Sequence, residues 1–584
     1  MNNVSKYSQL LTIPEFKNDI FTGEEACTRI GNGEIGGKAS GLILLRDMLK
    51  EQLIHNKFPD VLIDIPRFTI ITTHFFDVFM EENDLYEIAF SDESDERIAH
   101  HFQAATLPAD LIGSLWTIVS KIHTPLAIRS SSLLEDTLQS PYAGIYETKM
   151  ISNNQPDTES RFRKLIEAVK YVYSSTYFKK AKEYSVATSN NFKQEKMAVI
   201  IQEVVGLMHG NRFYPNISGV ARSLNYYPFG RLEPEDGIVS LALGLGKTIV
   251  DGGLCWSYSP QYPDLSFPYG SIKDLLKNTQ TDFWAINMSP LIKYDPVNET
   301  EYLVKLNIKD AEYDNVLTKI ASTYDVQSDR ICIGTFKNGP RIINFAPILQ
   351  LDELPINRVI KEILPICSKY AGGPVEIEFS IIMDNFRDAK IRFSLLQVRR
   401  IANSRSNFKI NKKDFNEKDV FVKSDVVLGN GVIDNIKEVV YVKRESFDFK
   451  YSTLIASHVG IFNKRLLKQG LPYLLIGPGR WGSTDPWLGI PVKWGQISGA
   501  KIIVESYYKD RYIDFSQGSH FFHNLSSLDI IYFYVKGDDK CYINWEWLEE
   551  QKVKNESEYI KHIHLDKPVK VIVSSKDKLG VVLK

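Results

Sequence analysis

The sequence predicts a mixed α/β (α+β) protein that ends in a smaller strand-rich domain, and three observations carry that prediction. Residues 196–206, KMAVIIQEVVG, form a nearly continuous β-branched and apolar run, the pattern of a buried strand. Residues 160–185 place Leu165, Ala168, Val169, Val172 and Tyr173 at helical spacing, which predicts one long helix. Strand-like and helical segments then alternate without a regular βαβ repeat, which favours an α+β arrangement over a barrel.

The remaining elements follow in chain order. Residues 66–82, PRFTIITTHFFDVFMEE, read as a strand running into a helix, and 125–131 as a short strand entering a polar loop. Further strands are expected at 217–224 and at 237–243, the latter just before GLGKTIVDGG. Residues 374–400 read as a hairpin with a polar turn near 384–388. Residues 401–420 are polar and are taken as the main linker; 421–584 is rich in strand-like runs and aromatics. The expected division is therefore 1–120, 121–400, a linker at 401–420, and a C-terminal domain over 421–584.

Composition narrows the class. At roughly 100–200 residues per domain, 584 residues suggest three to five domains. Hydrophobic residues at 43% and charged residues at 24% are ordinary for a globular protein. A net charge of −2 offers no general basic character, so no nucleic-acid partner is expected. The five cysteines, Cys27, Cys255, Cys332, Cys367 and Cys541, form no CxxC pair and no zinc-site spacing, which suits a reducing compartment. The first residues lack the layout of a signal peptide, and no apolar run of about 18 residues occurs. No membrane span is expected, and the cytoplasm is the expected location.

Four segments could carry chemistry. Gly36-Gly37-Lys38-Ala39-Ser40-Gly41 combines glycines, which let backbone amides approach phosphates, with a lysine that neutralises them. It lacks Walker A spacing, and a flexible loop with a solvated lysine has the same appearance. Arg129-Ser130-Ser131-Ser132, followed by Glu135-Asp136 and by Tyr142 to Thr148, offers a bidentate fork for phosphate oxygens, with the hydroxyls of Ser130 and Ser131 as added donors. A serine-rich turn with an arginine ion pair is the competing reading. Gly244-Leu245-Gly246-Lys247 follows a strand and is either a second phosphate or ribose contact or a plain strand-to-helix turn. In the 374–400 hairpin, polar residues two apart share a face, so a suitable register brings Glu376, Glu378, Gln397 and Arg399 together. Carboxylates and an amide oxygen suit Mg²⁺, and the arginine suits phosphate. A solvent-facing, salt-bridged hairpin would carry the same residues.

The order of these segments resembles the N-terminal nucleotide-binding region of phosphoenolpyruvate synthase and pyruvate phosphate dikinase, an ATP-grasp fold. The resemblance covers roughly residues 30–400. It is carried by GGKASGL, LAIRSSSLLEDTLQSPYAGIYET, MAVIIQEVV, SGVARSLN, LALGLGKTIVDGG and the closing VEIEF…LLQVR hairpin. It implies that Lys38 and Arg129 contact the ATP phosphates, that Gln202, Glu203 and Val205 lie at the adenine hinge, that Glu378 and Gln397 hold Mg²⁺, and that Arg399 contacts phosphate. It places 1–120 and 121–400 as the two parts of the nucleotide-binding region. Two departures stand out. Lys247 occupies a position where the family often has glutamate. None of the eleven histidines lies in the family's GG.TSHAA-like context, and fewer than 200 residues remain after the linker, too few for the typical ~250-residue barrel.

The C-terminal stretch contains Gly477-Pro478-Gly479-Arg480-Trp481-Gly482 and a later segment with His520 and His523. It resembles the C-terminal module of dikinase-like proteins that lack the barrel. Arg480 between glycines could bind an anion or shape a turn that packs Trp481. His520 could accept a phosphoryl group or fill a loop. The leading expectation is an ATP- and Mg²⁺-dependent phosphotransferase acting on a histidine or another acceptor, supplied by this chain or by a partner protein. A non-catalytic ATP-binding sensor and the ATP-binding subunit of a split dikinase are the alternatives.

Overall fold

The strand Met197–Glu203 lies at the centre of the first sheet and is buried from Met197 through Gln202. The computed structural model describes residues 12–584, apart from 53, 137–143, 189–193, 227, 229–230, 266–271, 384–390, 402–409, 411–414, 484, 509–524 and 526–529. Met197–Glu203 pairs antiparallel with Phe68–Ile71 on one side and Leu126–Ser132 on the other, so Gln202 stands opposite both Phe68 and Ala127. Cys27–Ile30 and Thr148–Ile151 form the two edges. The period of two then sorts the side chains: Val199 and Ile201 face one apolar core and Ile200 another. This first sheet combines strands from either side of residue 120.

The expected long helix over 160–185 is two helices, Thr158–Ser175 and Lys179–Thr188. Leu165, Ala168, Val169 and Val172 are buried as the spacing requires. The break comes where Ser174 and Ser175 turn their hydroxyls back onto the carbonyls of Tyr171 and Val172, both at 2.7 Å. Such back-bonding competes with helix propagation. The second helix restarts where the amide of Lys179 finds the Asp95 carboxylate at 2.7 Å.

A second sheet runs in the order Trp256–Tyr258, Ile238–Ala242, Ile217–Arg222, Val375–Ile382, Ile391–Arg400 and Val61–Asp64. Helix Gly36–Gln52 packs between the two sheets, burying Ala39, Leu42, Ile43, Leu45 and Met48 in the core it shares with both. The expected hairpin is present, although its turn lies outside the described residues. Its register pairs Glu376 with Arg399 and Glu378 with Gln397, then slips to set Phe379 opposite Leu395. Ile377, Phe379 and Val398 are buried, as the alternation requires. The slip is a β-bulge that leaves Leu396 without an opposite residue.

The C-terminal domain is more ordered than a reading of strand-like runs conveys. Asn430–Val442, Tyr473–Pro478, Ala500–Ser506 and Ile531–Val535 lie side by side and all parallel. Helix Ser452–Lys468 makes the crossover between the first two and buries Ile455, Ala456, Val459, Phe462 and Leu466. Antiparallel strands, led by Ile560–Ser574, extend the sheet. One apolar core is continuous from the first sheet into this domain: it contains Leu165 and Val199 as well as Val440, Trp481 and Tyr532. No disulfide joins the five cysteines. Among the described residues, no helix is long and apolar enough to cross a membrane.

Candidate functional site

A cleft of about 640 Å³ opens where the two sheets meet. Its lining includes Lys38, Arg129, Gln202, Glu203, Val205, Gly246, Lys247, Glu378 and Gln397, so residues far apart in sequence converge on one space.

Arg129 is the cross-brace. Its Nη1 donates to Gln202 Oε1 at 2.9 Å and to the Leu396 carbonyl at 2.8 Å, and its Nη2 donates to Gln397 Oε1 at 2.6 Å. That carbonyl belongs to Leu396, the residue the register slip leaves without an opposite partner. Glu378 lies beside it, 3.9 Å from Nη2, and its carboxylate accepts no hydrogen bond from any described residue. Burial raises the Glu378 carboxyl above its ordinary pKa, against the opposing pull of Arg129 and Arg399.

Lys38 is not solvated. It is 8% exposed and bonds Glu135 at 2.6 Å and Ser130 at 3.1 Å. The glycines before it serve close approach within the protein. A Cβ on Gly36, which has φ +74°, would stand 1.8 Å from the Ser131 carbonyl oxygen, and one on Gly37 would stand 1.7 Å from that of Glu135. Ser130 donates to Glu135, while Ser131 donates to the Ile35 carbonyl and accepts from the Ala39 amide. Both serines are fully buried and brace the start of the helix; neither lines the cleft.

The hairpin's four polar residues come together, but they divide into two pairs. Glu378 and Gln397 line the cleft. Glu376, also a candidate metal ligand, accepts from two guanidiniums: Arg222 Nε at 2.6 Å and Arg399, whose Nε lies at 2.8 Å. Arg399 is 4% exposed, is not among the residues lining the cleft, and has its guanidinium engaged by Glu376. Burial alone would lower the Arg399 pKa, yet Glu376 and Asp136 hold it above its ordinary value.

Asp136, quoted in the motif but given no role, is one residue that sequence reasoning passed over. Its Oδ2 accepts from Gln397 Nε2 at 2.8 Å, and its Oδ1 is buried and accepts no hydrogen bond from the described residues. Burial pushes its carboxyl up to about 6, despite Arg399 and Lys38 nearby. Among the described residues, no three His, Cys, Asp or Glu side chains cluster as a ready metal cage. Mg²⁺ commonly takes one or two carboxylates plus substrate phosphates. Glu378, with its unbonded carboxylate beside the Gln397 amide oxygen, fits that mode.

Val205 is buried and Gln202 is 2% exposed, with no hydrogen-bond partner for its Nε2 among the described residues. Glu203 pairs with Arg67 at 2.5 Å. Gly244 adopts φ +81° where a Cβ would meet the Trp284 carbonyl oxygen, and Gly246 begins the short helix Lys247–Val250. Lys247 bonds Glu299 at 3.0 Å and Asp251 at 3.1 Å. Burial would lower its pKa, but these two carboxylates raise it. His520 and His523 lie outside the described residues. Sequence reasoning gave no part in the cleft to Glu147, Lys180 or Glu299, which line it from a loop, a helix and a turn with no local motif in common.

Residues 32–419 match the family described as Pyruvate phosphate dikinase, AMP/ATP-binding domain. The match spans more than half of the chain, and the chain belongs to that family. Comparison with curated proteins returns no significant match.

Proposed function

We propose that this chain binds ATP in the cleft and transfers a phosphoryl group from it, with Mg²⁺ held against Glu378 and Gln397. One observation carries the reading. The Arg129 guanidinium sits where two sheets meet, bonded to Gln202 on one side and Gln397 on the other, next to a carboxylate that accepts no hydrogen bond among the described residues. The adenine ring would lie along Gln202 to Val205, where the buried Gln202 amide, its Nε2 unpartnered among the described residues, supplies a donor. Lys38 and Arg129 would face the phosphates. Bound Mg²⁺ would neutralise phosphate charge. Phosphoryl transfer needs little from the protein beyond positioning and electrostatic stabilisation, and these side chains are already braced for both. The acceptor is a histidine, with His520 a candidate, or a group supplied by a substrate or partner.

A second reading, an ATP-binding sensor without transfer, draws on the carboxylate partners that Lys38, Lys247 and Arg399 already have. Calorimetric titration of ATP with and without Mg²⁺, followed by incubation with β- and γ-labelled ATP, separates the two. The transferase reading expects Mg²⁺-dependent binding that drops roughly tenfold in Glu378→Gln, the loss of one charged contact, together with label leaving ATP. Tight binding in which ATP is never consumed, with every candidate acceptor present, would leave only the sensor.

A further inference from the structure

The matched family region does not enclose the cleft by itself. Arg480, Trp481, Gly482, Ser483, Val492 and Lys493 of the C-terminal domain line the same cavity as Arg129 and Glu378. They belong to the segment that follows Tyr473–Pro478, including the two-residue strand Arg480–Trp481, at the carboxyl end of the parallel strands. That edge is where open parallel sheets bind ligands, because the loops there converge on a crevice.

The wall is held firmly. Trp481 is 1% exposed; its amide donates to Glu505 at 2.8 Å and its indole to the Val504 carbonyl at 3.2 Å. Glu505, itself fully buried, also accepts from the Tyr532 hydroxyl at 2.5 Å. The domain is seated on both lips of the cleft. Arg480 Nη1 donates to the Gly252 carbonyl at 2.8 Å, beyond the short helix that begins at Lys247. Gly495 packs on Glu183 of the helix Lys179–Thr188, so closely that a Cβ there would strike the carboxylate.

Charge distinguishes this wall from the rest of the cleft. Lys38, Arg129 and Lys247 each have a carboxylate within 4.0 Å. Lys180 and Lys493 form no ion pair among the described residues; Lys180 is satisfied by the neutral carbonyl of Gly144, and Lys493 is exposed. Glu147 is the acidic side chain of the cleft nearest in sequence to Gly144, and its amide is tied to Ser175. Lys493 on the C-terminal wall and Lys180 on the helix Lys179–Thr188 thus line a nucleotide site with no carboxylate at ion-pair distance among the described residues, Glu183 acting on Lys493 only from farther off. Such cations call for a negatively charged occupant.

We infer that the C-terminal domain, together with the helix Lys179–Thr188, builds the acceptor subsite of this enzyme, and that Lys493 from the first and Lys180 from the second bind there a small molecule bearing a phosphate or carboxylate group. This rests on the phosphotransferase reading above. No histidine relay is needed in that arrangement: an oxygen of the anion attacks the phosphoryl phosphorus, the bond from that phosphorus to the bridging oxygen breaks, and the shortened nucleotide leaves with the electron pair.

The test uses the full chain, Lys493→Gln and the double variant Lys180→Gln/Lys493→Gln. Binding of Mg²⁺–ATP is measured first, then binding of inorganic phosphate and of malonate in the presence of a non-hydrolysable ATP analogue, one probe for each anion chemistry. The expected result is ATP affinity within about twofold of the parent, and affinity for one of the two anions weaker by roughly tenfold or more per lysine, the worth of a charge-assisted contact. Whichever probe binds identifies the group recognised. Failure of the parent chain to bind ATP would overturn the phosphotransferase reading itself. Normal ATP binding with neither anion bound, or with anion binding indifferent to both lysines, would overturn the acceptor subsite alone. A tenfold loss of ATP affinity in Lys493→Gln would assign the lysine to the nucleotide and overturn it as well.

Discussion

The region matched to the family, 32–419, and the C-terminal domain after it place charge in opposite ways. In the first, apart from Lys180, the site's charged groups come from elements far apart in sequence and are held by one another: Lys38 of a helix with Glu135, Arg399 and Arg222 with Glu376 within one sheet, and Arg129 between Gln202 of its own sheet and Gln397 of the other. In the second, one loop after one strand is pinned by a buried tryptophan, and the lysine it carries toward the cleft has no ion-pair partner among the described residues. Buried charges must be paired in the folded state because an unpaired one costs several kcal/mol. A charge left unpaired at a cleft wall is tolerated because water or a ligand reaches it. Paired networks thus mark the frame of the site, and the unpaired cation marks where something else binds.

The largest effect that would break this comparison is expected at Arg129. Arg129→Ala removes a cation from the cleft and strands Gln397 Oε1 and the Leu396 carbonyl, so ATP turnover should fall by about 10²–10³-fold. Arg129→Lys should recover little of it, since a lysine cannot reproduce the fork. Steady-state nucleotide consumption checks both, and near-parent rates in Arg129→Ala would remove Arg129 from the site.

Next come the two anchors. Glu376→Leu leaves Arg222 and Arg399 buried without their carboxylate and should cost about 3–5 kcal/mol. Trp481→Ala opens a cavity in the C-terminal wall and should cost a similar amount, about 3–5 kcal/mol. Urea melts read both. The comparison predicts that Trp481→Ala also weakens anion binding while sparing ATP, whereas Glu376→Leu weakens ATP.

The smallest effect concerns pH. Glu195, buried in the first region with Leu134 and Ser132 as its bonding partners, has its carboxyl pushed up to about 7 chiefly by burial. Its contribution to stability is present at acid pH and is lost as pH rises through about 7, because ionising it in place is unfavourable. Glu195→Gln should therefore raise Tm relative to the parent at pH 8 and change it little at pH 5. Glu438 in the C-terminal domain behaves oppositely. Burial would raise its carboxyl, but hydrogen bonds from His564 and His562, both at 2.6 Å, hold it below the ordinary range. Glu438 stabilises above that ordinary range and loses its effect on acidification, so Glu438→Gln should lower Tm at pH 7 and less so at pH 4. Thermal melts across pH with matching slopes for the two variants would contradict the contrast.

Much of the first region was legible because its signals are local. The Met197–Glu203 run, the Glu376/Glu378 alternation and the RSSS segment each announce an element within a few residues. The long helix was misjudged because apolar spacing continues through 176–178, while the break is made by serine hydroxyls bonding backward. The ion pairs of Glu376 were not legible for a different reason. Spacing puts it on a face with Glu378, but only the neighbouring strand Ile217–Arg222 brings in Arg222 to saturate it. The parallel core of the C-terminal domain was hidden because a buried parallel strand and a buried antiparallel one have the same apolar signature.

What the sequence by itself determined is the set of elements and the inventory of side chains: hydrophobic periodicity specifies strands and helices, and motif order specifies a family, because both are properties of neighbouring residues. Which of those side chains face a ligand and which face each other was decided by the tertiary structure. Arg129 reaches Gln397 across 268 positions, and Arg480 reaches Gly252 across 228. Contacts at that separation depend on sheet register, on one bulge at Leu396, and on a domain seated over both lips of the cleft. Pairing a buried charge is a demand on the whole fold, so only the folded chain shows which charges remain for chemistry.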